Sequence, residues 1–251
     1  MHRHIYTFFI LALVALLPFT ASAQLRFLNK DRPSNVPERG FVLQVSGGMA
    51  AVKSDICKGW GCNNFGPQVS MGVLYKMSPW FGVSGSIGYA RLGAQESNPR
   101  HPRNISFQTD VIEVTGSAVF NLADSYRGSG NYRSSQKRFI VPYLTAGLGF
   151  IYYNPTSYPG QGKLNEAQTK YEPARNYPAI AAVIPFGGGL RFRFTDALSV
   201  APELIYHVTS SDYLDNDGRN LGRNLIYKDH YGVASVKIMY TPTVANRLFS
   251  R

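Results

Sequence analysis

Pro185-Phe186-Gly187-Gly188-Gly189-Leu190-Arg191-Phe192-Arg193-Phe194-Thr195-Asp196-Ala197-Leu198-Ser199-Val200-Ala201-Pro202-Glu203-Leu204-Ile205-Tyr206-His207-Val208 is two alternating stretches joined by a short break. In the first, Phe186, Gly188, Leu190, Phe192 and Phe194 hold the even positions, and Gly187, Gly189, Arg191 and Arg193 the odd ones. After Thr195-Asp196-Ala197, one face carries Leu198, Val200, Pro202, Leu204, Tyr206 and Val208, and the other Ser199, Ala201, Glu203, Ile205, His207 and Thr209. A period of two belongs to an extended strand, so this is a hairpin with one apolar face. A single soluble hairpin would look the same. One hairpin alone fits a soluble β-sandwich equally well, and two observations shift that balance. The pattern recurs along the chain, which beyond Gln24 has no apolar run of the ~20 residues a spanning helix needs, and the first 23 residues read as an export signal. The expected fold is all-β, an eight-stranded antiparallel transmembrane β-barrel of the outer-membrane type with a plugged polar interior.

The strand candidates are 41–51, 67–77, 80–91, 107–122, 139–153, 180–194, 198–209 and 231–241. Connections 52–66, 92–106, 154–179 and 210–230 are long and polar, 78–79 and 195–197 are very short, and 123–138 is intermediate. Outer-membrane barrels keep short turns in the periplasm and long loops outside, which with an even strand count places both termini in the periplasm. The length of 123–138 marks Arg127, Arg133, Lys137 and Arg138 as a candidate periplasmic contact.

The ionisable residues fix the register, because a slip of one residue turns every side chain to the other face. With the apolar sets facing lipid, Lys76, Glu113, Arg191, Arg193, Glu203, His207 and Lys237 point inward. Reversal would place them in hydrocarbon, at ~2–4 kcal/mol for a midplane Arg or Lys. The lumen of eight strands is just wide enough for side chains to fill. Glu113, Arg191, Arg193, Glu203 and Lys237 are therefore expected to form an interior charge network, with Glu203 opposite Gly189 and diagonal to Arg191. Pro202 predicts a bulge, since it removes a ladder donor.

Residues 1–23 read as a signal peptide: a basic start at Arg3, an apolar run from Ile5 to Leu17, and Ala21-Ser22-Ala23 before Gln24. Gln24, not a cysteine, stands directly after that cleavage point, so a lipoprotein is not expected. Residues 24–39 form a periplasmic leader, 40–241 the barrel, and 242–251 a basic periplasmic tail. The whole chain has a formal net charge of +11. Export argues against nucleic acid as the partner, and the basic residues are scattered over expected loops (Arg91, Arg100, Arg103, Arg175, Arg219, Arg223). Anionic outer-membrane lipid or an acidic protein is the expected counter-charge.

Cys57 and Cys62 predict a local disulfide pinning a loop in an oxidising compartment; without a neighbouring histidine they make a poor zinc site. Ser199, Glu203 and His207 share a face, but spacings of four residues separate each pair by ~13 Å, too far for a hydrogen-bonded triad. His207 beside a serine of another strand is the enzymatic alternative. Gly187-Gly188-Gly189 lacks the Gly-Lys-Ser/Thr ending of a phosphate loop and is expected to relieve crowding in the lumen or to bend the strand. Asp212, Asp215, Asp217 and Gly218 lack the terminal glutamate of a calcium loop and read as a solvated turn. Tyr152, Tyr153, Tyr158, Tyr171 and Tyr177 suit an interfacial girdle or a partner surface. No catalytic residue, cofactor or metal is expected.

Pro142-Tyr143-Leu144, Gly147-Leu148-Gly149-Phe150, Tyr152-Tyr153-Asn154-Pro155, Ile184-Pro185-Phe186-Gly187-Gly188-Gly189-Leu190 and Asp212-Tyr213-Leu214-Asp215 follow one another in an order that resembles the PorG-like family. That family comprises outer-membrane barrels associated with the type IX secretion system. The resemblance is specific over about residues 139–216. It implies an assembly or anchoring component, without catalytic residues, that contacts the periplasmic ring of a PorK-like lipoprotein and a PorN-like partner. Two other functions fit a barrel of this kind: a surface ligand-binding or adhesive protein using the long loops, and a lipid-modifying enzyme with His207 as general base.

Overall fold

The computed structural model describes residues 40–54, 56–57, 61–96, 104–123, 138–160, 179–216 and 228–242. Eight strands, β1 (Gly40–Lys53), β2 (Gly66–Lys76), β3 (Phe81–Gln95), β4 (Ile105–Asn121), β5 (Ile140–Pro159), β6 (Ala179–Arg193), β7 (Leu198–Thr209) and β8 (His230–Tyr240), pair antiparallel in sequence order. The barrel is closed by β1 on β8, from Leu43↔Tyr240 to Lys53↔His230. Closure leaves no edge, the condition for a sheet to stand in hydrocarbon.

The alternation seen in the sequence places apolar side chains outside. Val45, Met71, Val114, Leu148, Phe150, Ile180 and Leu204 are each more than half exposed. An apolar outer wall around an interior that buries Arg191, His207, Gln44 and Ser46 is the inverse of a soluble barrel, so this one spans a membrane. Aromatic cross-strand pairs mark the lower limit of the band: Phe41 against Tyr75 at 4.9 Å and Phe81 against Phe120 at 5.1 Å. Tyr89 on β3 and Tyr206 on β7 lie eight residues above Phe81 and Leu198. Eight residues rise roughly 27 Å along a strand, or about 20 Å once tilted, close to the height of a membrane band. Above it the outward positions turn polar at Arg91, Asp110 and Asn154, which are aligned across β3, β4 and β5.

The two short turns share one construction. Ser78 Oγ accepts hydrogen bonds from the amides of Trp80 (3.3 Å) and Phe81 (3.0 Å). Thr195 Oγ1 accepts from Ala197 (3.3 Å) and Leu198 (2.9 Å) in the same way. A hydroxyl that bonds the backbone two and three residues on favours a tight reversal. These turns and both barrel termini lie at one end, and the long connections lie at the other.

Three expectations about the strands change. β3, β4 and β5 run on into segments read as loops, at Leu92–Gln95, at 105–106 and at 154–159. Their alternation continues there with Leu92, Ala94 and Ile105 buried, but most of the outward residues are polar, so the stretches looked like loop. Arg91 accordingly lies on β3, where its Nε donates to Asp110 Oδ1 at 2.8 Å. Pro202 makes no bulge: Gly189↔Glu203 and Phe192↔Val200 share one register, and Pro202 itself pairs with Val236. The missing donor is absorbed by a local gap in the β6–β7 ladder at Leu190 and Arg191.

The signal peptide, the leader, the tail from residue 243, and Arg127, Arg133 and Lys137 lie outside the described residues, as do Arg100, Arg103, Arg175, Arg219, Arg223, Tyr171, Tyr177, Asp217 and Gly218. Arg138 is exposed just before β5.

Candidate functional site: the closed lumen

The interior is layered. Toward the turn end, Val42, Leu74, Val119, Tyr143, Ala201 and Met239 form an apolar plug. Toward the loop end a larger one includes Val52, Leu92, Phe107, Val111, Ile151, Tyr153, Leu214 and Tyr231. Between them lies a polar layer around a cavity of about 60 Å³ lined by Gln44, Ser70, Glu113, Glu203, His207 and Lys237, among others. That volume holds a few waters at most.

Two clusters cross this layer. In the first, Glu203 of β7 accepts from Lys237 Nζ of β8 at 2.8 Å, from the Tyr143 hydroxyl of β5 at 2.8 Å and from Ser235 Oγ at 3.1 Å. The carboxylate thus ties three strands together. Arg191, 2% exposed, sits with its guanidinium 5.1 Å from the centre of the Tyr143 ring, and its Nη1 donates to Asn121 Oδ1 at 3.3 Å. Glu203 does lie opposite Gly189, yet Tyr143 stands between it and Arg191, so the ion pair forms with Lys237.

In the second cluster Glu113 of β4 accepts from the Tyr231 hydroxyl at 2.6 Å and lies 3.3 Å from His207 Nε2. The His207 and Tyr231 rings stack at 4.3 Å. His207 Nδ1 is buried with no hydrogen-bond partner among the described residues. Hydroxyl pairs complete the layer, Ser46 with Ser70 at 2.7 Å and Ser86 with Thr115 at 2.8 Å. Lys76 and Arg193 are half-buried near the turn end.

Ser199, Glu203 and His207 share the inner face of β7, and His207 meets Glu113 and Tyr231 rather than a serine. At 4% exposure its ring lies inside the barrel, away from the lipid wall. Among the described residues no group of three His, Cys, Asp or Glu side chains is placed to hold a metal.

The segment after β7 corrects the reading of a solvated turn. Asp212, Asp215 and Leu214 are 3%, 1% and 0% exposed. Leu214 turns into the barrel mouth: its amide donates to Asp229 Oδ2 at 2.8 Å, and its carbonyl accepts from Thr109 Oγ1. Tyr153 bonds Ser211 at 2.6 Å, and Asn216 Nδ2 donates to Ser157 Oγ at 2.7 Å. The tyrosine group divides accordingly: Tyr152 is 46% exposed on the outer wall, whereas Tyr153 and Tyr158, at 1% and 8%, are buried. Adjacent strand residues cannot share a face, so Tyr152 and Tyr153 could not both join a girdle.

Sequence reasoning missed Tyr143, Tyr231, Asn121 and the Leu214 plug. The signal was there for the tyrosines: both fall at inward positions, and a buried phenol needs an acceptor.

Cys57 and Cys62 form the expected disulfide, with Cα atoms 5.6 Å apart. Both are buried, and Cys62 O accepts from Gln95 N at 2.9 Å. The bridge fastens the β1–β2 connection to the extension of β3. Replacing both cysteines by serine should leave the barrel assembled but loosen this connection by about 2 kcal/mol, from the lost closure of a short loop. Faster hydrogen exchange at the Ser54 and Gln95 amides, with unchanged exchange in β4, is the expected reading.

No family model and no curated protein matches the sequence. Solved structures resemble the fold. Neisserial surface protein A has a TM-score of 0.45 at 11% identity, over 80% of this chain and 96% of that one. Ail, the attachment invasion locus protein of Yersinia pestis, also has 0.45, at 16% identity over 81% and 99%. The outer membrane enzyme PagL has 0.39, at 13% identity over 79% and 99%. The strand pairing and the two faces described above establish the fold independently: a closed eight-stranded antiparallel barrel whose lumen holds a polar layer between two apolar plugs.

Proposed function

We propose that this chain is a non-enzymatic outer-membrane barrel that serves as a structural or assembly component, anchoring the periplasmic ring of a type IX protein secretion system. The observation that supports it is the lumen, filled by two apolar plugs and a paired charge layer. A filled lumen leaves the two ends and the outer wall as the surfaces that act. The resemblance of residues 139–216 to PorG-like barrels then names the partners, a PorK-like lipoprotein and a PorN-like protein.

Crosslinking cells that carry a tagged chain and identifying what co-purifies from the outer membrane tests this. A ring lipoprotein and its partner should be recovered. Charge reversal at Arg127, Arg133, Lys137 and Arg138 should reduce that recovery several-fold while the barrel still inserts. Unchanged recovery overturns the contact, and a barrel recovered alone, beside a working control crosslink, overturns the reading.

The disulfide-pinned connection and the strand extensions favour a second reading, a surface-binding barrel. Trimming 161–178 and 217–227, which spares β5 and the Leu214 plug, should abolish that function but leave a ring anchor active.

A further inference from the structure

The outer wall carries a groove of about 540 Å³, lined by Ala51, Lys53, Phe186, Leu204, Tyr206 and Gly232 together with Asn63 and backbone of β6, β7 and β1. Its shape follows from one row around the barrel. Phe186, Tyr206, Gly232 and Ala51 are consecutive cross-strand partners on β6, β7, β8 and β1. The first two stand out as a wall, their rings 5.6 Å apart edge to face. The next two are the smallest residues available, and a Cβ built on Gly232 meets nothing within 4 Å. On β8 the following outward residue, Ala234, is small as well. The groove therefore crosses the seam where the barrel closes, within the band that faces hydrocarbon.

The rim at the loop end is charged and held. Lys53 is exposed at the end of β1, directly opposite His230. Asn63 Oδ1 accepts from Val52 N at 2.8 Å, and Asn63 follows the Cys57–Cys62 bridge, so the disulfide fixes this edge. No carboxylate is among the lining residues. An apolar trough with a single cation at its polar end matches one ligand class, a molecule with a hydrocarbon chain and an anionic head. Its volume lies within the roughly 300–1,000 Å³ common to ligand sites.

We propose that this groove binds one anionic phospholipid of the surrounding membrane, with an acyl chain over Gly232 and Ala51 against Phe186, Leu204 and Tyr206, and the phosphate at Lys53. An unfilled groove in a lipid-facing wall forfeits dispersion contacts along its whole length, and an acyl chain restores them. The cation sits at the height where the outward residues become polar, the level of the head groups.

The test is native mass spectrometry of the full chain, taken from detergent after incubation with 1-palmitoyl-2-oleoyl-phosphatidylglycerol or the matching phosphatidylcholine. One phosphatidylglycerol should be retained, in about tenfold preference to phosphatidylcholine. Gly232→Leu fills the floor and should lower retention of both lipids about tenfold, with Gly232→Ala intermediate. Lys53→Glu should abolish the preference and keep the phosphatidylcholine level. Slower migration after boiling than before it, on cold gels, verifies that each variant is folded. Retention by folded Gly232→Leu equal to that of the parent overturns the site. So does a preference that survives Lys53→Glu, or a mass of two chains in place of a chain and a lipid.

Discussion

Glu203→Ala is expected to lower the unfolding free energy of the barrel by about 3–5 kcal/mol, the range for removing one partner of a buried ion pair. The carboxylate, 6% exposed, is the one acceptor that Lys237, Tyr143 and Ser235 share. Its loss leaves an ammonium at 21% exposure between two apolar plugs, a phenol that has lost its acceptor, and Arg191 buried with, among the described residues, one hydrogen-bond partner in Asn121 and the face of the Tyr143 ring. The cost comes from these orphans rather than from the strength of the pair itself. Glu203→Gln, which keeps an acceptor of the same shape, should cost less. The double variant Glu203→Leu with Lys237→Met should recover most of the loss, since neither charge then remains to be desolvated. Urea titration of the protein folded in lipid vesicles, followed by tryptophan fluorescence, gives the three values. A double variant no more stable than Glu203→Ala alone would show that the pair is not what holds this layer.

The outer wall was legible in the sequence because hydrocarbon imposes the same demand on every strand. From Phe186 to Phe194 each even position must be apolar or glycine, and the same constraint recurs eight times, so strand number and register could be read together. The signal fails where hydrocarbon ends. Arg91, Asp110 and Asn154 lie on continuous strands, but water outside the band accepts polar outward residues, and Leu92, Ala94 and Ile105 then alternate with side chains that look like loop. Pro202 misled for a related reason. A missing donor was assumed to force a change of register, whereas the β8 ladder holds β7 in place while the β6 side opens by two residues.

Inside the barrel, face was legible and partnership was not. Glu113, Arg191, Glu203, His207 and Lys237 all point inward, as alternation requires. Who meets whom depends on the stagger of strands far apart in sequence: Glu113 and His207 join β4 to β7 across the lumen, and Tyr231 reaches Glu113 from β8. Nothing local to Glu113 encodes that. The same holds for Leu214, whose segment is rich in aspartate and reads as solvated, yet it is drawn into the mouth by Asp229, Thr109 and the rim of Phe107 and Tyr153.

Gly187→Val should prevent most of the chain from closing, an effect above about 4 kcal/mol and so tied to backbone rather than to a lost contact. A Cβ at Gly187 would lie 2.1 Å from Leu204 O and 2.9 Å from Ile205 Cα, and one at Gly189 would lie 2.5 Å from Pro202 O. These are main-chain atoms of β7. They cannot yield as a side chain would, because Leu204 and Ile205 are also laddered to Ala234 and Val233 on β8. At Gly85, on the outer wall, an added Cβ meets nothing within 4 Å. Gly85→Val is therefore expected to fold as well as the parent, since restricting the unfolded chain offsets what little is lost. The pair separates two uses of glycine: room between strands pressed together by a small radius, and mere absence of a side chain in lipid. The readout is the fraction of each variant that refolds into vesicles as the faster-migrating form on unheated gels. Equal yields for Gly187→Val and Gly85→Val would mean that β6 and β7 can move apart, and that Gly187-Gly188-Gly189 bends the strand instead of making space within the lumen.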